Sequence, residues 1–77
     1  MASTLEQMAS DLADDTMKII SAGGDDRLHF AVADVLGASS QTLEEAYLTE
    51  VRVRMAGIAA KAFLKNKVKE LKTGKEE

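Results

Sequence analysis

Residues 40–72 read SQTLEEAYLTEVRVRMAGIAAKAFLKNKVKELK. Apolar side chains recur in this stretch at alternating spacings of three and four residues, as they do where one helix packs along another: Leu48, Val51, Met55, Ile58 and Ala62. The pattern continues, with a slight drift, at Leu64, Val68 and Leu71. Thr42 and Glu45 have the spacing of a capping box, so the helix should begin between Ser39 and Leu43. The stretch therefore predicts one long helix from about residue 40 to about residue 72.

A shorter helix is predicted at the start of the chain. Ser3 and Glu6 have the spacing of a capping box, in which each side chain binds a free backbone N–H of the other. An apolar stripe at helical spacing follows them. Gly23 and Gly24 then supply the left-handed backbone conformation that ends many helices. Together these signals predict a helix over about residues 4–21.

A second short helix should follow. Its apolar residues cover more than one face and end at Gly37, and Asp25 or Asp26 is the expected N-cap. This pattern predicts a helix over about residues 26–36. The expected fold class is all-α, in which two shorter helices precede a long one.

The predicted long helix is longer than the rest of the chain can cover. It would span ~50 Å, whereas the two shorter helices laid end to end would reach only ~41 Å. Either the long helix breaks near Gly57, or it stays continuous and pairs with a second chain. A glycine inside a helix costs only ~1 kcal/mol relative to alanine, which favours a continuous helix and a helical homodimer.

The residues of the repeated pattern are the expected dimer or partner interface: Leu48, Val51, Met55, Ile58 and Ala62. Other apolar residues are expected to close the core within one chain: Leu5, Leu12, Ile19, Leu28, Val32 and Val35. All of them belong to a single helical domain, residues 1–77, whose last few residues should fray.

Charge is divided unevenly along the chain. Residues 1–50 hold ten acidic and two basic side chains, a net of −8, whereas residues 51–77 hold eight basic and three acidic ones, a net of +5. Solvated helix faces that complement the helix dipoles explain this division, and so does binding to a charged partner. The sequence favours the first explanation and leaves open which end makes a functional contact.

Composition limits the setting in which the protein works. The chain has no cysteine, so neither disulfides nor thiolate zinc sites are available to it. Its first residues lack the basic and apolar regions of a secretory signal, and no segment has the ~20 apolar residues of a membrane span. We expect a cytoplasmic protein that does not bind membranes.

One short segment resembles the core of a helix-turn-helix. Ala33, Gly37 and Leu43 have the offsets by which that motif locks two helices together. The resemblance implies a small DNA-binding regulator with its motif around residues 29–48, in which the side chains that contact nucleic acid are Ser39, Ser40 and Gln41. Carboxylates follow immediately and would repel phosphates, which makes this the second hypothesis: Glu44, Glu45 and Glu50.

No catalytic, metal or cofactor site is predicted. Asp25, Asp26 and His29 form a D-D-x-x-H string, but one histidine beside two residues at a helix start is more typical of a cap than of a metal site. A Ser/His/acid site would have only His29 as its base, with no residue to position it. The sequence thus predicts a small non-enzymatic protein–protein interaction module, an adaptor or regulatory protein, that binds a second copy of itself and another protein.

Overall fold

Three helices make up the protein. The computed structural model describes the backbone of residues 3–76 and the side chains of residues 3–72. Across this span it contains no strand, and its helices are α1 (Thr4–Ser21), α2 (Leu28–Gly37) and α3 (Gln41–Glu76). The predicted all-α class, with two shorter helices before a long one, is confirmed. The fraying predicted for the last residues includes Glu77, which lies outside the described residues.

The capping signals of α1 act as the sequence predicts. Ser3 Oγ accepts a hydrogen bond of 3.1 Å from the Glu6 N–H, and Glu6 Oε1 accepts one of 3.3 Å from the Ser3 N–H. After the last turn of α1, Gly23 has a φ of 103°, the only positive φ between residues 3 and 76. An L side chain rarely adopts this conformation, so glycine at this position lets the chain turn away from α1.

The predicted N-cap of α2 is wrong. The cap residue is Arg27, and it makes no side-chain capping bond. Asp25 Oδ1 instead accepts a hydrogen bond of 2.9 Å from the Arg27 N–H, two residues along the chain, which stabilises a turn before the helix. Because the aspartate is used in that turn, α2 begins two residues later than predicted, at Leu28.

The third helix is continuous from Gln41 to Glu76 and passes through Gly57 without a break. Its first turn is capped by Ser40, whose Oγ accepts a hydrogen bond of 3.1 Å from the Leu43 N–H. The capping box predicted at Thr42 is therefore wrong, although the helix begins within the predicted window. At its other end α3 extends beyond the predicted end near residue 72.

The buried core is small and consists mostly of small side chains. Its members come from all three helices: Ala9, Ala13, Ala33, Tyr47 and Val51. Both α1 and α2 pack mainly against α3 and contact each other little. The alanines let the helix backbones approach closely, and the Tyr47 ring fills the space that remains, with no part of the residue exposed.

The predicted core is partly wrong. Leu12 and Val32 pack against the buried cluster as expected. Ile19 and Val35, however, are 53% and 73% exposed. Both α1 and α2 pack against α3 through faces that carry alanines, and these two larger side chains remain outside the contact.

The molecule is elongated because α3 is much longer than its partners. Its principal extents are 58 × 30 × 16 Å, and its radius of gyration is 16.6 Å. A compact chain of this length would have a radius of gyration of only ~12 Å. Much of α3 therefore projects past the other two helices.

Candidate interaction surface on the third helix

The projecting part of α3 is exposed on every side. All residues from 56 to 72 are exposed, and we call this segment the arm. It spans ~25 Å at 1.5 Å per residue. The remainder of the described chain, residues 3–55, is called the body. Asp14 and Met17 of α1 border a depression beside Gly57, Ile58 and Lys61. Neither α1 nor α2 covers the arm beyond these first turns, so its surface is the part of the described chain most available to a partner.

Arg54 holds the start of the arm to the body. Its Nε donates to Asp14 Oδ1 at 2.7 Å, and its Nη2 donates to Ser10 Oγ at 2.9 Å, so it connects α3 to α1. Its Nη1 donates to Glu50 Oε1 at 2.7 Å, one turn back along α3. These bonds raise the pKa of Arg54 above its ordinary value, the one to Glu50 contributing most and the one to Asp14 next. The charged side chain thus fixes α3 on the body where the arm begins.

A buried hydrogen bond also fixes α3 to α1, about two helical turns before Arg54. The hydroxyls of Tyr47 and Thr16 lie 2.7 Å apart, and Thr16 Oγ1 also lies 2.8 Å from the Leu12 carbonyl oxygen. Since that carbonyl only accepts, Thr16 donates to it, and Tyr47 donates to Thr16. Burial raises the pKa of Tyr47, an effect that the hydrogen bond to Thr16 reduces in part. The two helices are therefore held by directional bonds as well as by apolar contact.

Two apolar stripes run along α3 on different faces. The inner stripe faces the body and includes Tyr47, Val51 and Met55. At about 100° per residue, Leu64 points roughly 140° away from Val51 around the helix axis. The drift that the sequence predicted as slight is thus a change of face. Ile58 and Ala62 still lie on the inner face, whereas the later apolar residues of the arm do not extend the surface that the body covers.

The second face is the outer stripe, a set of positions spaced four and three residues apart on one side of the helix: Val53, Gly57, Ala60, Leu64, Lys67 and Leu71. Its three large apolar members are each more than half exposed, as are the flanking side chains Phe63 and Val68. A Cβ added at Gly57 would meet nothing within 4 Å. A row of exposed apolar side chains of this kind, interrupted here only by Gly57 and Lys67, is typical of an interaction site.

The arm is also strongly basic. It carries five lysines and one glutamate, a net of +4, whereas the body carries ten acidic and four basic residues, a net of −6. Lys67 lies within the outer stripe, where its Nζ is 3.1 Å from Glu70 Oε2 and 5.3 Å from the centre of the Phe63 ring. The arm thus combines an apolar face with a positive potential.

The residues predicted as the dimer interface fall into two groups. Val51 is fully buried within its own chain, and Leu48 and Met55 are partly buried against the same core. Ile58 and Ala62 lie in the arm and are exposed. As a dimer contact the set stays a prediction, and within the chain its first three members serve the core.

The residues of the DNA-binding hypothesis lie at the corner between α2 and α3. Ser39 and Gln41 are exposed, whereas Ser40 is occupied in capping α3. The Glu44 carboxylate lies beside Gly37, within 2.8 Å of where a Cβ would be. The corner thus presents a carboxylate next to the proposed contact residues, and nothing in its geometry favours the DNA-binding hypothesis over a tight helical corner.

His29 is buried, and its Nδ1 has no hydrogen-bond partner among the described residues. The ring lies against Phe30, with 4.1 Å between ring centres. Asp25 and Asp26 are exposed, and no group of three or more His, Cys, Asp or Glu side chains in the described part of the chain is placed to hold a metal ion.

No described helix has the combined length and apolar character needed to cross a membrane. Comparisons of the chain with protein-family models, curated proteins and solved structures find no match.

Sequence reasoning did not single out two features of this surface. The bonds from Arg54 to α1 join residues 40 or more positions apart, and no local pattern signals them. The outer stripe does have a signal, since Val53, Ala60, Leu64 and Leu71 follow at spacings of seven, four and seven. The pattern of the inner stripe is more regular and overlaps the same segment, so it dominates the apolar periodicity there.

Proposed function

We propose that this protein is a small, non-enzymatic, cytoplasmic interaction module that acts as a homodimer, as an adaptor or regulatory protein, and that the arm is its binding element. The observation that carries the proposal is the exposure of all seventeen residues from 56 to 72 on a continuous helix. A second copy or another protein that packs against this helix would cover the apolar side chains that its own body leaves in water.

The energetic support comes from the size of these side chains. Fully burying a Val, Leu or Phe side chain contributes roughly 1.5–3 kcal/mol relative to leaving it exposed. Five such side chains of the outer face are each more than half exposed: Val53, Phe63, Leu64, Val68 and Leu71. Because each is already partly covered in one chain, two copies would remove only the exposed parts of ten such side chains from water, a contribution of the same order as the cost of association, about 4–15 kcal/mol.

The anchoring of α3 adds to this support. Tyr47 and Arg54 bind α1 at two positions along α3, so the arm leaves the body in a fixed direction. A binding element that is already ordered loses less conformational entropy on association than a flexible tail. The arm is therefore suited to binding as a preformed helix.

Sedimentation equilibrium of the full chain over a wide concentration range tests the proposal. We expect reversible dimers, and we expect Leu64→Glu to weaken the association at least ~100-fold because it removes apolar area and places a charge in the contact. Val35→Glu is the matched control, since Val35 is equally apolar and exposed but lies on the body. It should leave the association unchanged, with helicity by circular dichroism intact in both variants. A chain that is monomeric throughout would refute the homodimer.

A further inference from the structure

From the arrangement of side chains on the arm, we infer that two copies pair in antiparallel orientation through their outer stripes. In this pair the numbers of two residues that lie opposite each other add to about 124. This inference rests on the proposed homodimer and adds its face, orientation and register. The occupant of the outer stripe is thus the same stripe of a second copy.

The choice of face follows from what the body already covers. The inner stripe continues into the arm only at Ile58 and Ala62, because Val51 and Met55 are packed against α1 and α2. The outer stripe points roughly 140° away from Val51, so a second chain can lie along it without displacing the body. It also begins at Val53, at the end of the body, and continues along the arm to Leu71.

The register follows from the sizes of the outer-stripe residues. Two antiparallel copies aligned about residue 62 place Leu64 opposite Ala60 of the other copy and Leu71 opposite Val53. The long Lys67 side chain then faces Gly57, where a Cβ would find open space. Each large residue meets a smaller one in this alignment, as close packing requires. A parallel pair would instead place Lys67 against Lys67 and Gly57 against Gly57, which gives one layer of like charge and one empty layer.

Charge supports the same orientation. In a parallel pair Lys67, the arm lysine that lies within the outer stripe, would face Lys67 of the other copy, and the two acidic bodies would be adjacent. In the antiparallel pair, the lysine-rich segment 65–72 lies opposite residues 52–59, close to Glu50 and Asp14 of the other body. Arg52 and Arg54 also lie in that stretch, but each arm, with a net charge of +4, then extends towards a body with a net charge of −6, and this attraction favours the antiparallel direction.

The size of the contact sets its expected strength. The outer stripes overlap over residues 53–71, a length of ~28 Å. Ten large apolar side chains, each contributing roughly 60–120 Å² when fully buried, amount to ~600–1,200 Å². This range includes the ~1,000 Å² that separates specific interfaces from incidental ones. We therefore expect a reversible dimer whose population depends on concentration.

Cysteine cross-linking tests the orientation. Because the chain has no native cysteine, only the introduced thiols can form disulfides. A disulfide requires Cα atoms within about 7 Å of each other. In the antiparallel register residue 53 lies beside residue 71 of the other copy, and it lies ~27 Å from the second residue 53. A mixture of Val53→Cys and Leu71→Cys chains should form mixed disulfide dimers on mild oxidation, whereas either variant alone should not.

Salt provides a second measurement on the unmodified chain. Attraction between arm and body is screened by added salt, so sodium chloride should weaken an antiparallel dimer. It should strengthen a parallel one, in which like charges are adjacent. Leu64→Glu should abolish cross-linking in the mixture. Ala62 belongs to the interface predicted from the sequence but lies on the opposite side of the arm, so Ala62→Glu should preserve cross-linking if the outer stripe makes the contact.

The outcomes separate this inference from the proposed function. A dimer in which Val53→Cys alone cross-links to itself would overturn the antiparallel register and leave the homodimer standing. A dimer that Ala62→Glu disrupts and Leu64→Glu does not would move the contact to the other face. A chain that stays monomeric by sedimentation refutes both, and binding of that monomer to phosphatidylserine vesicles would assign the basic arm to a membrane surface instead.

Discussion

The hydrogen bond between Tyr47 and Thr16 allows a quantitative test of how α3 is fixed to α1. Tyr47→Phe removes the donor and leaves Thr16 still bonded to the Leu12 carbonyl oxygen, so no buried polar group loses its last partner. The loss is then that of one ordinary hydrogen bond, about 1 kcal/mol. For a domain of this size, that free energy corresponds to a fall in Tm of about 4–8 °C.

Thr16→Val should cost more, although it also removes a single hydroxyl. It preserves the shape of the side chain but leaves the buried Tyr47 hydroxyl without its acceptor. An unsatisfied buried group costs about 1–3 kcal/mol. The double variant replaces both polar groups by apolar ones, so it should be more stable than Thr16→Val alone.

Thermal and urea unfolding of the four proteins complete a double-mutant cycle, measured at one low protein concentration so that association does not contribute. The two substitutions should be coupled by about 1–2 kcal/mol. Coupling near zero, or a Tyr47→Phe variant less stable than Thr16→Val, would refute the donor assignment and the role of this bond in holding the helices together.

Unfolding measurements also test the other anchors and turns. Arg54→Ala should lower the free energy of unfolding by about 1–2 kcal/mol because bonds to two helices are lost, whereas Arg52→Ala should change it by less than ~0.5 kcal/mol; equal effects in urea would contradict this. Gly57→Ala should raise the free energy of unfolding by up to ~1 kcal/mol, since its Cβ meets no atom within 4 Å. Gly23→Ala should lower it by at least ~1 kcal/mol because φ is 103° there, and an unchanged Tm would exclude strain at this turn. Because burial holds the pKa of Tyr47 above its ordinary 10.0, the unfolded chain releases that proton first, and stability should fall as the pH rises above that value. A pH titration should show the wild type losing up to ~1.4 kcal/mol per pH unit more than Tyr47→Phe.

The ends of the helices were predictable where the signal is local. The capping box of Ser3 and Glu6 and the turn at Gly23 depend on residues a few positions apart, and both are as predicted. The start of α2 was not predicted correctly, because an aspartate before a helix can serve either as a cap or in a turn. Asp25 binds the Arg27 N–H instead of capping the helix, and periodicity alone does not distinguish these uses.

The location of the core was less predictable than its existence. Apolar periodicity ranks Ile19 and Val35 above Ala9 and Ala13, yet the alanines are buried and the larger side chains are exposed. Which face of an amphipathic helix is covered depends on how closely its neighbours approach, and small residues permit the closest approach. The sequence pattern records size and polarity, whereas the contact depends on the combined shape of three helices.

The inner and outer stripes of α3 lie on different faces, and this difference supports the proposed function. A single helix with one apolar face needs one partner surface, and the body supplies it as far as Met55. Beyond Met55, most of the large apolar residues lie on or beside a second face, on the side of the helix away from the body: Phe63, Leu64, Val68 and Leu71. A helix that only closed its own fold would gain nothing from leucines at 64 and 71, since exposed apolar side chains favour aggregation. Leu64 and Leu71 are spaced regularly on one face, and Lys67 between them would repel its counterpart in a parallel pair. This arrangement favours an antiparallel contact over a parallel one.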